Sequence, residues 1–230
     1  MGQCPDARKT EFEIPLMLAE PREGEILVDF PSGGAYLHAY VSALDAGVVY
    51  QAVEHMPGYT SREKEISQGD WHRLNFPDGS VDIVISLAAL HHLYPGRPAF
   101  YAECRRILRT GGRLVIGDVV EGTDAAAFLS EFVEVHSSEG HAARFLQRDL
   151  EVPEIESTGF EVSHWELRTY PWRFPDSEAA VSYCRGLFRL DKATDDQIWD
   201  GLGRYLGIKL KQDGVELAWQ LAFIRANRRP

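Results

Sequence analysis

The chain has 230 residues, 44% of them hydrophobic and 26% charged, with 35 acidic against 24 basic side chains and a net charge of −11. That length buries a full-sized core, and no apolar run approaches the ~18 residues that a membrane span needs. The acidic surplus is spread over both halves, which argues against nucleic acid as the main partner because phosphate binding needs a basic footprint.

The three cysteines, Cys4, Cys104 and Cys184, are scattered and without metal-ligand spacing. They read as reduced thiols of a cytoplasmic protein with no metal site, not as a disulfide framework. The opening Met-Gly-Gln-Cys-Pro-Asp is patterned neither as a signal peptide nor as a myristoylation site.

Residues 1–24, with three prolines, leave room for a short helix over 12–18. Glu25-Ile-Leu-Val-Asp-Phe30 is an apolar burst that runs into Pro31-Ser-Gly-Gly34, a buried strand entering a turn. A helix is expected over 35–44 and a second strand over 48–53, which together make a βαβ unit and imply a parallel sheet. An edge strand over 65–68, a strand over 81–86, a helix over 98–109 and a strand over 114–120 follow. Residues 123–147 read as helical, 153–157 as a short helix and 160–169 as a strand, which the proline-rich 170–175 interrupts. Helices are expected over 177–190 and 194–206, the second opened by the capping box Thr194-Asp-Asp-Gln197. Strict apolar alternation from Val215 to Phe223 makes a last, half-buried strand. The class is α/β, with helices inserted before the final strand.

Three carboxylates, Asp29, Glu54 and Asp70, stand at strand ends or in the loops that leave them. Ligands of open parallel sheets lie outside those carboxyl ends. Acceptor-only groups there suit a ligand with a ribose, an ammonium or an exocyclic amine. The Gly33-Gly34 turn lets the backbone come close to such a ligand.

On these residues the chain resembles the class I S-adenosylmethionine-dependent methyltransferases, in particular the ubiquinone/menaquinone-type small-molecule branch. Val28-Asp-Phe-Pro-Ser-Gly-Gly-Ala35 lies where that family has Asp-x-Gly-x-Gly-x-Gly, and Gln51-Ala-Val-Glu54 matches the strand that ends in an acid. The family's later motifs are matched by Gly69-Asp-Trp-His-Arg-Leu-Asn-Phe-Pro-Asp-Gly-Ser-Val-Asp82, Ser86-Leu-Ala-Ala-Leu-His-His-Leu93 and Glu103-Cys-Arg-Arg-Ile-Leu-Arg-Thr-Gly-Gly112. The resemblance implies a Rossmann-like, doubly wound, mostly parallel seven-stranded sheet with an antiparallel last strand. It also implies one domain over 1–230: a cap segment 1–24, a cofactor-binding core 25–120, and substrate-side helices and final strands 121–230.

By the same resemblance, Asp29, Gly33 and Gly34 hold the methionine end of S-adenosylmethionine and Glu54 accepts both ribose hydroxyls. Asp70 meets the adenine amine, Trp71 flanks the ring, and Ser86 and Leu87 line the region near the sulfonium. His91 and His92 follow the fourth strand and are the candidate general bases for an acceptor that must lose a proton. Substrate-side candidates are His136, His141, Tyr170, Trp172 and Arg173, an aromatic and cationic set that suits a planar or anionic small molecule. Trp172 and Phe174 alternatively anchor the helices that follow.

Two departures from the family pattern motivate a second reading. Pro31 and Ala35 replace two of the loop glycines, and only fifteen residues separate Glu54 from Asp70, so a helix there is very short or absent. The second reading is a methyltransferase-fold protein with lost or changed chemistry, a binding partner or an enzyme such as a cyclase. A nicotinamide dehydrogenase is disfavoured, because no Gly-x-Gly-x-x-Gly follows the first strand.

Overall fold

Strand order decides where a ligand can sit on an open α/β sheet. The computed structural model describes residues 4–59 and 65–230. The first half runs α1 (Lys9–Ala19), β1 (Ile26–Asp29), α2 (Leu37–Ala43), β2 (Val49–Glu54), β3 (Ile66–Gln68), β4 (Val81–Leu87), α3 (Arg97–Ile107) and β5 (Leu108–Asp118). In the second half α4 (Asp124–Ala127) continues through a π-helical stretch, Phe128–Val133, into α5 (Glu134–His136). Then come α6 (Arg148–Ser157), β6 (Phe160–Phe174), α7 (Ser177–Phe188), α8 (Asp195–Tyr205), β7 (Ile208–Lys211) and β8 (Gly214–Arg228).

The sheet order is β3-β2-β1-β4-β5-β8-β6, with β7 paired to β8. Strands β1 to β5 pair in parallel, and β8 runs antiparallel to β5. The expected mostly parallel sheet with an antiparallel last strand is present, and β7, which the sequence did not announce, is an eighth strand. From β1 the chain winds outward through β2 and β3, then returns to β4 on the other side of β1. That reversal makes the crevice between β1 and β4 a topological switch point.

Contacts divide the chain into two compact units that interleave in sequence: residues 12–118, 146–166 and 222–230 in one, and residues up to 11, 119–145 and 167–221 in the other. In the first unit, α1 and α2 cover one sheet face through Phe12, Leu16, Leu37 and Val41 against Ile83 and Ile85. Fully burying each such aliphatic side chain contributes about 2 kcal/mol. Helix α3 buries Phe100, Cys104 and Ile107. In the second unit Trp172 stacks on Trp219 with ring centroids 4.4 Å apart, and Phe128 meets Phe188 edge-on at 5.2 Å. Asp176 caps α7, and Thr194 with Gln197 forms the expected capping box of α8.

Three expectations are corrected. The stretch 170–175 does not interrupt a strand, since β6 runs on to Phe174. As β6 is the last strand in the sheet order, Pro171 lacks an N–H where an edge tolerates it. The helix expected over 123–147 ends at His136, where Ser137 turns extended and Gly140 takes a left-handed φ of 67°. Helix α3 stops at Ile107 and β5 begins at Leu108, with a register shift in its pairing with β4 between Val81 and Ile83. The interval between β2 and β3 contains one 3-10 turn, Pro57–Tyr59; residues 60–64 lie outside the described residues. All three cysteines are free and buried. Among the described residues no helix is long and apolar enough to cross a membrane.

At the amino-terminal edge of the sheet, buried Glu25 pairs with buried Arg113. Arg109 reaches the same carboxylate at 3.2 Å and also pairs with Asp82. Removing one member of a buried pair strands the other charge. Arg113→Met is therefore expected to destabilise by about 3 kcal/mol, and adding Glu25→Met to recover most of that loss in denaturant titrations. A double variant no more stable than the single one contradicts the assignment.

Candidate functional site

The carboxyl ends of β1, β2 and β4 and the loop leaving β3 converge on the switch point, and all belong to the first unit. After β1 the chain passes a cis Phe30–Pro31 bond into a turn in which Gly33, Gly34 and Ala35 take φ of 56°, 103° and 60°. Two of the three are glycines, as that conformation favours, and Ala35 pays about 1 kcal/mol for its Cβ. Ser32 N–H donates to the Val53 carbonyl at 2.9 Å. Gly33 N–H donates to Glu54 Oε2 at 2.9 Å. The other carboxylate oxygen of buried Glu54 accepts His55 N–H at 2.9 Å and Met56 N–H at 3.2 Å. One side chain at the end of β2 thus holds both its own exit and the turn after β1.

Asp29 closes β1 and is buried. Tyr50 on β2 donates its hydroxyl to Asp29 Oδ2 at 2.5 Å, and His38 stacks on Tyr50 with ring centroids 4.8 Å apart. Burial pushes the Asp29 carboxyl up to about 7; the Tyr50 hydrogen bond opposes that rise and the Glu54 charge adds to it. Burial, with Asp29 beside it, also raises the Tyr50 phenol.

After β3, Gly69 has no room for a Cβ, which would strike Val53 and Leu74. Asp70 is exposed and accepts His72 N–H at 2.8 Å, a turn closed by its own side chain. Trp71 is half-buried among Phe30 (4.7 Å), His55 (5.1 Å) and Phe100 (5.3 Å). At the end of β4, Ser86 is buried and Leu87 is half-buried.

The turn after β4 rests on Asp118, the last residue of β5, which is fully buried. Asp118 Oδ2 accepts the N–H groups of Ala89 (3.1 Å), Leu90 (2.7 Å) and His91 (3.3 Å), and Oδ1 lies 2.6 Å from His91 Nδ1. His91 is buried, and His92 is exposed with its ring 4.1 Å from that of His91. A carboxylate on Nδ1 orients the ring, with Nδ1–H as the donor to Asp118. Sequence reasoning missed Asp118 and Tyr50, although Asp118 ends a strand just as Asp29 does.

The substrate-side candidates lie in the second unit. Tyr170 and Trp172 are buried, and Trp172 Nε1–H donates to Glu11 at 3.0 Å under the Arg8 guanidinium. Arg173 pairs with Glu216 at 3.0 Å and is largely exposed. The His136 ring packs on Phe132 at 4.3 Å, and His141 lies beyond the helix, its N–H bonded to Glu134. Tyr170 and Trp172 are thus core residues, His136 joins the same run of rings through Phe132, Phe128 and Phe188, and Arg173 is at the surface.

Residues 33–116 match the family model described as a methyltransferase domain. Over this stretch the chain is similar to methyltransferase domains. The chain is 34% identical over 118 residues to the "Probable phthiotriol/phenolphthiotriol dimycocerosates methyltransferase 2" of Mycobacterium ulcerans, covering 47% of this chain and 43% of that protein. It is 29% identical over 143 residues to the sterol 24-C-methyltransferase ERG6B of Gibberella zeae, covering 54% and 36%. The matched stretch thus spans less than half of each curated relative. The YcgJ protein of Bacillus subtilis shares the fold, with a TM-score of 0.65 at 17% identity over 96% of this chain and 99% of that one.

The residues at this rim leave polar groups for a ligand. The hydroxyls of Ser32 and Ser86 are buried without a hydrogen-bond partner among the described residues. Such a group costs about 1–3 kcal/mol until a polar ligand meets it. Glu54 spends three of its roughly four acceptor positions on backbone, two on Oε1 and one on Oε2, which leaves a position on Oε2 for a hydroxyl donor.

An acid with a raised native pKa holds a proton that the unfolded chain gives up. The stability Asp29 contributes is therefore full below about pH 4 and is lost as pH rises toward about 7. Asp29→Asn keeps an oxygen for Tyr50 and removes the titration. The melting temperature of this variant relative to the parent is expected to climb between about pH 4 and about pH 7 and then level off. A difference that stays constant over that range contradicts the raised carboxyl.

Proposed function

We propose that the protein transfers a methyl group from S-adenosylmethionine to a small molecule, with a hydroxyl as the acceptor group. The observation that supports this reading is that Asp29, Glu54 and Ser86 end, or nearly end, parallel strands and Asp70 follows a fourth, in a stretch that matches a methyltransferase domain. Bound S-adenosylmethionine supplies a methyl group already activated by its sulfonium. The residues of this chain then bind and orient. Glu54 would take the ribose hydroxyls, Asp70 the adenine amine beside Trp71, and Asp29 with Gly33 and Gly34 the methionine end, near Ser86 and Leu87.

The hydroxyl acceptor is favoured by the His91–Asp118 pair. A hydroxyl must lose its proton as it is methylated, and a histidine oriented by a buried carboxylate is suited to take it. His92 is the neighbouring alternative. The acidic surplus supports a small-molecule acceptor over nucleic acid, and three buried thiols suit a reducing, cytoplasmic setting. One curated relative is named for phthiotriol/phenolphthiotriol dimycocerosates and the other as a sterol 24-C-methyltransferase, which supports a small-molecule acceptor. Within this reading residues 25–120 are the cofactor-binding core, and residues 121–230, with His136, His141, Tyr170, Trp172 and Arg173, belong to the substrate side.

The test is transfer of labelled methyl from S-adenosylmethionine to a panel of hydroxylated aromatic and polyketide-like compounds. His91→Ala is expected to lower kcat about 100-fold or more, with cofactor affinity unchanged, and Asp118→Asn to lower it in the same direction. Full turnover in His91→Ala overturns the base assignment. Cofactor binding without transfer to any acceptor favours the reading of changed chemistry.

A further inference from the structure

The motif Glu103-Cys-Arg-Arg on α3 touches none of the residues given a cofactor role above, yet it is tied to the loop that carries two of them. Asp70 and Trp71 lie in the stretch 69–80 between β3 and β4, which has no helix or strand of its own. Several of its backbone groups are bonded from α3. Buried Glu103 accepts Leu74 N–H on Oε1 at 2.6 Å. Arg106 donates to the Leu74 carbonyl at 3.0 Å and to the Phe76 carbonyl at 2.8 Å, and reaches Asp78 at 2.6 Å. The same guanidinium holds both oxygens of Glu103, Nε at 2.8 Å and the terminal nitrogen at 2.6 Å. One turn earlier on that helix, Phe100 packs edge-on against Trp71 with centroids 5.3 Å apart. Phe100, Glu103 and Arg106 are spaced three apart, so one face of α3 carries the whole contact.

The pair is built for holding a shape. Glu103 is buried and its charge is met by a guanidinium fork and one backbone N–H, so its geometry is constrained at every bond. The two loop carbonyls it secures through Arg106 lie four and six residues beyond Asp70. Asp70 itself is exposed and is held by a local turn, its side chain accepting His72 N–H and its carbonyl Arg73 N–H.

We propose that Glu103 and Arg106 are positioning residues for the adenine side of the cofactor site: they hold the loop so that Asp70 and Trp71 are presented in one arrangement, and they set adenine selectivity without touching the base. This rests on the methyltransferase reading above. A loop released from α3 still offers Asp70 and Trp71, but as an ensemble. Binding then pays to order it, and the preference for a base with an exocyclic amine is diluted.

The experiment measures dissociation constants of S-adenosylhomocysteine and of its hypoxanthine analogue S-inosylhomocysteine, by calorimetry, for the parent, Glu103→Gln, Arg106→Lys and Asp70→Ala. The parent is expected to prefer the adenine ligand. Both α3 variants are expected to weaken it about tenfold and to move the adenine/hypoxanthine ratio most of the way to that of Asp70→Ala. In turnover they raise KM for S-adenosylmethionine and leave kcat at saturation unchanged. A merely structural role would lower the melting temperature of the variants and leave the ratio at the parent value, and that result overturns the proposal. Should Glu103→Gln not fold, Arg106→Lys, which keeps the charge and removes the fork, decides alone. Failure of the parent to bind either ligand counts instead against the methyltransferase reading.

Discussion

The rim of the sheet depends on what the Glu54 carboxylate does. Buried at the end of β2, it accepts N–H groups from Gly33 in the turn after the neighbouring β1 and from His55 and Met56 on its own exit. Those three donors belong to irregular backbone that has no strand or helix to pair with, and a buried donor left unpaired would cost more than most single contacts contribute. The left-handed run Gly33, Gly34 and Ala35 is possible because this carboxylate and the Ser32–Val53 bond fix both sides of it.

The same device recurs around the rim. Asp118 gathers three N–H groups of the turn after β4 and orients His91, and Glu103 takes Leu74 N–H from the loop after β3. The irregular segments after β1, β3 and β4 are thus each pinned by a buried acid on a neighbouring regular element. Acceptors concentrated in this way also give the site a negative field, which suits a cationic cofactor. The acidic surplus of the chain, which at first argued only against nucleic acid, has part of its meaning here.

How much of this was legible in the sequence follows from what each signal is. Asp29, Glu54 and Asp70 stand out because each carboxylate interrupts or follows a short apolar burst, a purely local pattern. Asp118 is the same kind of residue, but Val119 and Val120 follow it and carry the apolar run past the strand end. Tyr50 reads as an ordinary strand aromatic, and only the pairing of β1 with β2 brings its hydroxyl to Asp29. The helical reading of 137–147 failed at Gly140, and the break expected at Pro171 failed because edge position, a property of the whole sheet, overrides the local signal. Glu103 and Arg106 were visible as a motif, but their partners stand some thirty residues earlier and no periodicity links them. Among the substrate-side candidates, Tyr170 and Trp172 carry the same composition as Arg173 yet lie in a core, which burial alone distinguishes.

The central claim is that the Glu54 carboxylate both fixes the turn and receives the ribose of S-adenosylmethionine, and calorimetric titration of Glu54→Gln and parent with S-adenosylmethionine tests it most directly. The account predicts micromolar-range binding by the parent and a loss of about tenfold or more in the glutamine variant, which keeps the Oε acceptor for one side of the turn but not the charge or the full acceptor set. Equal affinity in a folded variant, or no binding by the parent at millimolar cofactor, would contradict it.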